Sequence, residues 1–284
     1  MRALPLILAT VALMAAACST DEASDQGGDS GGEATVIIAN TPGTLSTNGP
    51  QRVLVALLSQ GDNEFLGGEG VAATIEFTAP NGGPTSEVAG QWLSTNAAPL
   101  GLYVAPFAFD QTGRWEVTVE INDEGGSRAL IDVFDESAVP ETGDPAPQSK
   151  TPTATGDDDL AAITTDLEPD ASLYQLSIDE AVTNGRPTVI VFATPAFCQT
   201  ALCGPTLEIV KEAAAEREGL DIVHVEPFEL ELARAGSLVP VDTMAEWQLA
   251  TEPWVFVVDA NGLISASFEG ILGVEEINAA IDAL

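Results

Sequence analysis

Basic residues are scarce in this chain: 9 Lys and Arg stand against 44 Asp and Glu, which gives a formal net charge of -35. Lys150 and Lys211 are the only lysines. Such a surface repels nucleic acid and anionic lipid head groups, which excludes both as partners. The acidic residues are scattered along the chain, which indicates a solvated surface. With 45% hydrophobic residues and a length of 284 residues, the chain can still bury substantial cores, and we predict two domains.

Long hydrophobic runs are also missing. The N-terminal apolar run, residues 4–17, is shorter than the roughly 20 residues that a transmembrane helix needs. It follows Arg2 and ends in Ala15-Ala16-Ala17-Cys18, which is typical of a lipoprotein export signal. We therefore expect residues 1–17 to be a signal peptide and Cys18 to carry a lipid that anchors the protein to the cell membrane, outside the cytoplasm. An ordinary secretory signal is the alternative.

The rest of the chain divides by composition. Residues 18–33 have almost no apolar content and predict a flexible tether. Residues 34–135 contain seven short alternating segments separated by Gly, Pro and Asn, which predict an antiparallel β-sandwich. Within them, residues 101–109 and 113–119 are similar to the closing hairpin of immunoglobulin-like modules in exported bacterial proteins, and the resemblance implies an immunoglobulin-like sandwich. Residues 136–159 are rich in Pro, Thr, Asp and Gly and predict a linker or an extended strap. Residues 160–284 alternate helix and strand in the order βαβ-α-ββα.

The predicted sandwich has no histidine, cysteine or methionine, so it lacks the soft ligands that a copper site prefers. Tyr103 and Trp115 are its most conspicuous aromatic residues, and we interpret both as core residues. A spacer or docking role follows for this region.

Cysteine is the third scarce residue, with three in the chain. If Cys18 carries lipid, Cys198 and Cys203 remain as a pair, and an oxidising compartment permits a disulfide between them. The pair lies between a predicted strand, residues 188–193, and a predicted helix, residues 207–217. On a regular helix, positions five apart differ by about 140° and about 7.5 Å along the axis, which is too far for a disulfide. Cys198 must therefore lie in the loop, with the helix starting no earlier than Ala201, or the first turn must unwind on oxidation.

Two stretches resemble the thioredoxin-like superfamily, in particular its exported and often membrane-anchored members. They are Phe192-Ala193-Thr194, which leads to the first cysteine, and residues 249–262, Leu-Ala-Thr-Glu-Pro-Trp-Val-Phe-Val-Val-Asp-Ala-Asn-Gly. The resemblance implies an α/β thioredoxin-like domain over residues 160–284. It also implies that Pro253 is a cis-proline beside the cysteines and that Glu252 presents backbone groups to a bound peptide. The four residues between Cys198 and Cys203 depart from the family's usual spacing of two.

The implied activity is thiol–disulfide exchange, without a cofactor, on protein thiols or disulfides in the extracytoplasmic space. Cys198 is the predicted nucleophile, since a helix N-terminus stabilises a thiolate. Cys203 would resolve the mixed disulfide. Because no Lys or Arg is close in sequence, we expect only modest activation of Cys198.

Three alternatives remain open. One is a binding or structural module with a static Cys198–Cys203 disulfide. Another is a peroxidase, because cysteines five positions apart also resemble a peroxiredoxin subclass, although nothing after Arg234 supplies that subclass's arginine. The last is copper delivery by the two cysteines with His224, a weak candidate ligand that is more simply interpreted as a hydrogen-bonded core histidine.

Overall fold

The computed structural model describes residues 34–59, 64–94, 101–121, 124–154, 157–215 and 217–284. The predicted signal peptide, the tether and the lipidation site Cys18 lie outside these residues. Within them, no helix combines the length and the apolar character that crossing a membrane requires.

Seven strands from the first part of the chain form one antiparallel sheet in the order β1-β2-β5-β4-β3-β6-β7. β1 and β7, at the two ends of this order, lie side by side, so the sheet is nearly closed and barrel-like. The strands are β1 Ala34–Ile38, β2 Pro50–Ser59, β3 Ala73–Thr78, β4 Thr85–Ser94, β5 Gly101–Ala108, β6 Gly113–Ile121 and β7 Glu124–Val133.

The predicted two-sheet sandwich is wrong, because β4 pairs with β3 on one side and with β5 on the other and so joins all seven strands in one sheet. Its first part pairs with β3 up to Gly90, and its second part, from Gln91, pairs with β5. A Cβ on Gly90 would lie 3.0 Å from Ile75 Cδ1 and 3.1 Å from Tyr103 Cβ. Glycine therefore lets the strand pass close to its neighbours where it changes partner, and the sheet continues without a break.

Aromatic residues fill the interior of the seven-stranded sheet. Tyr103 and Trp115 are 0% and 3% exposed, which confirms both as core residues. Trp115 packs edge-on against Phe107 and Phe109, and Phe77 stacks on Phe107 with a centroid distance of 4.2 Å. This core is separate from the apolar clusters of the second half of the chain.

The second half forms a four-stranded sheet in the order β11-β10-β8-β9. β8 and β9 are parallel, and the other two pairings are antiparallel. The elements are α1 Asp157–Ile163, a 3-10 helix Ala171–Tyr174, α2 Ile178–Ala181, β8 Thr188–Phe192, α3 Cys203–Ala214, β9 Asp221–Val225, α4 Leu230–Arg234, α5 Asp242–Glu246, β10 Trp254–Val258, β11 Ile264–Glu269 and α6 Val274–Asp282.

The prediction of an α/β thioredoxin-like domain is also wrong as a fold class. The described residues are mostly β, with 19% helix, and they show no clear α/β thioredoxin domain. The predicted strand β8 and the predicted helix α3 are present at close to their predicted positions. Between β9 and β10, α4 and α5 have five residues each, because Gly236 and Pro240 interrupt this stretch.

The segment after β7 is an extended strap across the four-stranded sheet. The Gly143 N–H donates to the carbonyl of Ile264 at 2.8 Å, and the Ala146 N–H donates to that of Gly262 at 2.9 Å. Val139 and Ala146 are buried in a core cluster of this sheet. This proline-rich segment is therefore an ordered strap, and it partly covers one side of β11.

Arg52 of β2 connects the two sheets. Its guanidinium donates two hydrogen bonds to the carboxylate of Glu276, at 2.7 and 2.8 Å, and others to the carbonyls of Glu269 and Ile271. Nearby, Ile271 is buried in an apolar cluster with residues of β2, β4 and β5, and Leu202 packs against that cluster. Since Leu202 directly precedes Cys203, the seven-stranded sheet supports the cysteine loop.

Candidate functional site

The pairing of β10 with β8 places the proline loop next to the cysteine loop. Trp254 pairs with Phe192 in this antiparallel ladder. Pro253 and Glu252, just before β10, therefore lie opposite the residues that follow β8 and lead to Cys198. The Glu252–Pro253 peptide bond is cis, the isomer that the resemblance implied.

Cys198 lies in the loop, which is one of the two arrangements that the spacing argument allowed. Cys203 is the first residue of α3, so the helix starts after Ala201, as expected. Ala201, between them, has a φ of 60°, so the loop turns through a left-handed residue before the helix starts. Leu202, the N-cap, provides no side-chain hydrogen bond to the helix. Instead the Sγ of Cys198 accepts the N–H of Cys203 at 3.2 Å, so a sulfur atom satisfies one of the free donors at the helix N-terminus.

The predicted Cys198–Cys203 disulfide is not formed, and both cysteines are free in this structure. The two Sγ atoms and a carboxylate oxygen of Glu252 lie within 4.8 Å of one another. The sulfurs are joined by a hydrogen bond that the Cys203 thiol donates to Cys198. The structure thus shows the reduced pair with its sulfur atoms already adjacent.

Cys198 is half-buried, and hydrogen bonds lower its pKa to about 5. The largest contribution is the bond from the Cys203 thiol; burial opposes it, and the Thr200 hydroxyl, at 3.4 Å, and backbone N–H groups add to it. The expectation of modest activation is therefore wrong: neutral donors replace the missing Lys or Arg. The hydrogen bond from the Thr200 hydroxyl could have been anticipated, since a hydroxyl two residues away commonly hydrogen-bonds locally.

Cys203 has the opposite character, as its side chain is 0% exposed. Its hydrogen bond to Cys198 and its burial raise its pKa, while the backbone N–H of Thr194 donates to its sulfur and opposes this shift. Cys198 is therefore a thiolate at neutral pH and Cys203 is a thiol. The two predicted cysteine roles, nucleophile and resolving residue, remain predictions.

Glu252 contributes a carboxylate that the sequence reasoning did not use. Its side chain is half-buried and accepts a hydrogen bond from the backbone N–H of Gln199. Burial raises the pKa of this carboxyl group, and the nearby Cys198 charge raises it further. No local pattern indicates this neighbour, because Glu252 is 54 positions after Cys198 and the β8–β10 pairing brings the two together.

His224, the weak metal-ligand candidate, is buried and hydrogen-bonded through both ring nitrogens. Its Nε2 donates to the carbonyl of Ala193 at 2.8 Å, and its Nδ1 accepts from the Tyr174 hydroxyl at 2.7 Å. The carbonyl can only accept, so the Nε2 carries the proton. Burial lowers the pKa of His224, which keeps the ring neutral. Neither nitrogen is open to a metal, and the copper-delivery alternative loses its imidazole ligand.

Comparison with protein-family models finds no match to this chain, and comparison with curated proteins finds none either.

Proposed function

We propose that this protein carries out thiol–disulfide exchange with Cys198 as the attacking thiol. One observation supports the proposal above all: the half-exposed Cys198 sulfur receives hydrogen bonds from the thiol and the backbone N–H of buried Cys203. An accessible thiolate beside a protected thiol is the arrangement that a two-step exchange requires. The resemblance of the cysteine and proline loops to thioredoxin-like proteins supports the proposal at the level of these two loops.

In the forward direction the Cys198 thiolate attacks one sulfur of a partner disulfide. A mixed disulfide forms, and the other partner sulfur leaves as a thiolate with the electron pair of the broken bond. Cys203 then attacks the Sγ of Cys198, the second partner sulfur leaves, and a Cys198–Cys203 disulfide results. The partner disulfide is reduced and the cysteine pair is oxidised by two electrons; the reverse sequence oxidises a partner dithiol.

The proposed partners are protein thiols or disulfides in the extracytoplasmic space. In this proposal a lipid on Cys18 anchors the chain to the membrane, and Pro253 with the backbone of Glu252 shapes the groove for the partner peptide. The net charge of -35 disfavours small anionic thiols as partners, because like charges slow their approach.

The midpoint potential of the Cys198–Cys203 pair tests the proposal. The Cys18→Ser chain, whose remaining thiols are these two, is equilibrated in dithiol redox buffers. Reduced and oxidised fractions are then read by alkylation and mass spectrometry. We expect a midpoint between about -120 and -270 mV, the range of thiol oxidoreductases.

A midpoint below about -300 mV would instead identify a structural disulfide and overturn the proposal. It would favour the alternative of a static binding module. Failure of the two cysteines to form a disulfide in any buffer would also contradict exchange chemistry.

A further inference from the structure

Cys203 must lose a proton before it can resolve a mixed disulfide, but bulk water does not reach it. Its side chain is 0% exposed and lies in the apolar cluster under the four-stranded sheet. In the reduced protein its proton is held in the hydrogen bond to Cys198. Once Cys198 is bonded to a partner sulfur, it is no longer a thiolate and no longer a strong acceptor. A different acceptor must then be close.

Glu252 is placed to be that acceptor. Its carboxylate oxygen is within 4.8 Å of both sulfur atoms, a separation that a single bridging water spans. The hydrogen bond from the Gln199 N–H holds it over the cysteine loop. Among the described residues, no lysine, arginine or histidine forms an ion pair with it. Cys198 and Cys203 are the titratable groups that face it.

We propose that Glu252 is a catalytic residue of the resolving step and that its carboxylate carries the proton of Cys203. This inference rests on the proposed thiol–disulfide exchange. The Cys203 proton passes to the Glu252 carboxylate, directly or through one water, as the Cys203 sulfur attacks the Sγ of Cys198. The bond between Cys198 and the partner sulfur breaks, and the partner leaves as a thiolate. On reduction of the disulfide, Glu252 returns the proton to Cys203.

The charges around the site place the proton transfer after the first attack. The Cys198 thiolate raises the pKa of both Cys203 and Glu252. When Cys198 becomes part of a mixed disulfide, that negative charge disappears. Glu252 then ionises more readily and Cys203 releases its proton more readily. The carboxylate becomes a base when the resolving step requires one.

The test separates the two steps with 2,2′-dithiodipyridine, a neutral disulfide that releases an absorbing thione at each step. In the reduced Cys18→Ser chain, the first release reports attack by Cys198 and the second reports resolution by Cys203. We expect Glu252→Gln to keep the first release and to slow the second about a hundredfold, the lower end of general-base effects. The second rate should fall in acid where Glu252 becomes protonated, and Glu252→Gln should lose this inflection.

Two further variants make the result specific. Glu252→Asp keeps a carboxylate and should retain the inflection at an intermediate rate. Glu246→Gln removes the same charge from an exposed position on α5 and should change neither release. A Glu252→Gln chain with the wild-type second rate and pH profile would overturn the inference and leave the proposed exchange intact. A wild-type chain that gives no first release, or no second release, would overturn the proposed exchange and this inference with it.

Discussion

At Cys198, four donors converge on one sulfur atom: the thiol and the backbone N–H of Cys203, and the hydroxyl and the backbone N–H of Thr200. Each of them is uncharged. The thiolate is therefore stabilised by local dipoles and not by a neighbouring cation, which fits a chain with 9 basic residues. The low pKa of Cys198 therefore depends mostly on Cys203, the residue that the proposed exchange uses to resolve the mixed disulfide.

Replacement of Cys203 should consequently change the acidity of Cys198. Cys203→Ala removes the largest donor, and we expect the pKa of Cys198 to rise from about 5 toward the ordinary thiol value of about 8.5. The backbone N–H groups remain, so the rise should be partial. The measurement is the rate of alkylation by iodoacetamide against pH, in the Cys18→Ser chain.

Cys203→Ser is the matched variant, because its hydroxyl can still donate to the Cys198 sulfur. In the alkylation experiment, the pH midpoint for Cys203→Ser should lie below the pH midpoint for Cys203→Ala. Equal pH midpoints of alkylation for the chains with and without Cys203→Ala would show that the Cys203 thiol does not control the pKa of Cys198.

At the scale of elements, the site depends on how two segments are held against the seven-stranded sheet. One is the start of α3, where Leu202 packs against the apolar cluster of β2, β4 and β5. The other is the end of β11 and the residues that follow it, where the Glu269 and Ile271 carbonyls accept from Arg52. The seven-stranded sheet therefore supports the start of α3 through Leu202.

Arg52→Met should destabilise the fold by about 2 kcal/mol, because it removes the guanidinium that donates to the Glu276 carboxylate and to two carbonyls. The Arg52 and Glu276 side chains are 15% and 17% exposed, so solvent replaces these bonds poorly. The measurement is the free energy of unfolding in urea, followed by tryptophan fluorescence.

Arg114→Met is the control for that substitution. Arg114 makes a similar paired contact with Asp132, but the two side chains are 65% and 51% exposed. Exposed ion pairs contribute little to stability, so no measurable loss is expected. A loss from Arg114→Met equal to that from Arg52→Met would contradict the importance of the connection between the sheets.

For the whole molecule, the dominant property is a net charge of -35 carried by 284 residues. Most of these charges have no cationic partner, since acidic residues outnumber basic ones by 44 to 9. Their mutual repulsion opposes the compact state and is screened by salt. Stability should therefore depend on ionic strength more than in a protein of balanced charge.

We expect the urea midpoint of unfolding to rise when sodium chloride is added at neutral pH. The effect should shrink near the isoelectric point, about pH 4.1, because most of the net charge is then neutralised. Equal salt effects at the two pH values would show that salt acts through something other than charge repulsion.

Local patterns predicted the positions of the elements better than their assembly. β8 was expected over residues 188–193 and is Thr188–Phe192. The fold class was wrong because strand pairing is not a local property. Gly90 allows β4 to change partner, and the contact between β1 and β7 nearly closes the sheet.

The candidate site divides in the same way. The sequence by itself limited a bonded pair to two arrangements, Cys198 in a loop before the helix or a first turn that unwinds on oxidation, because five positions on a regular helix separate two side chains too far for a bond. Only the tertiary structure decided that Glu252 stands beside both sulfurs and that Cys203 donates to Cys198. The reason is that spacing along the chain limits local geometry, whereas the neighbours of a buried atom are chosen by packing between segments far apart in sequence.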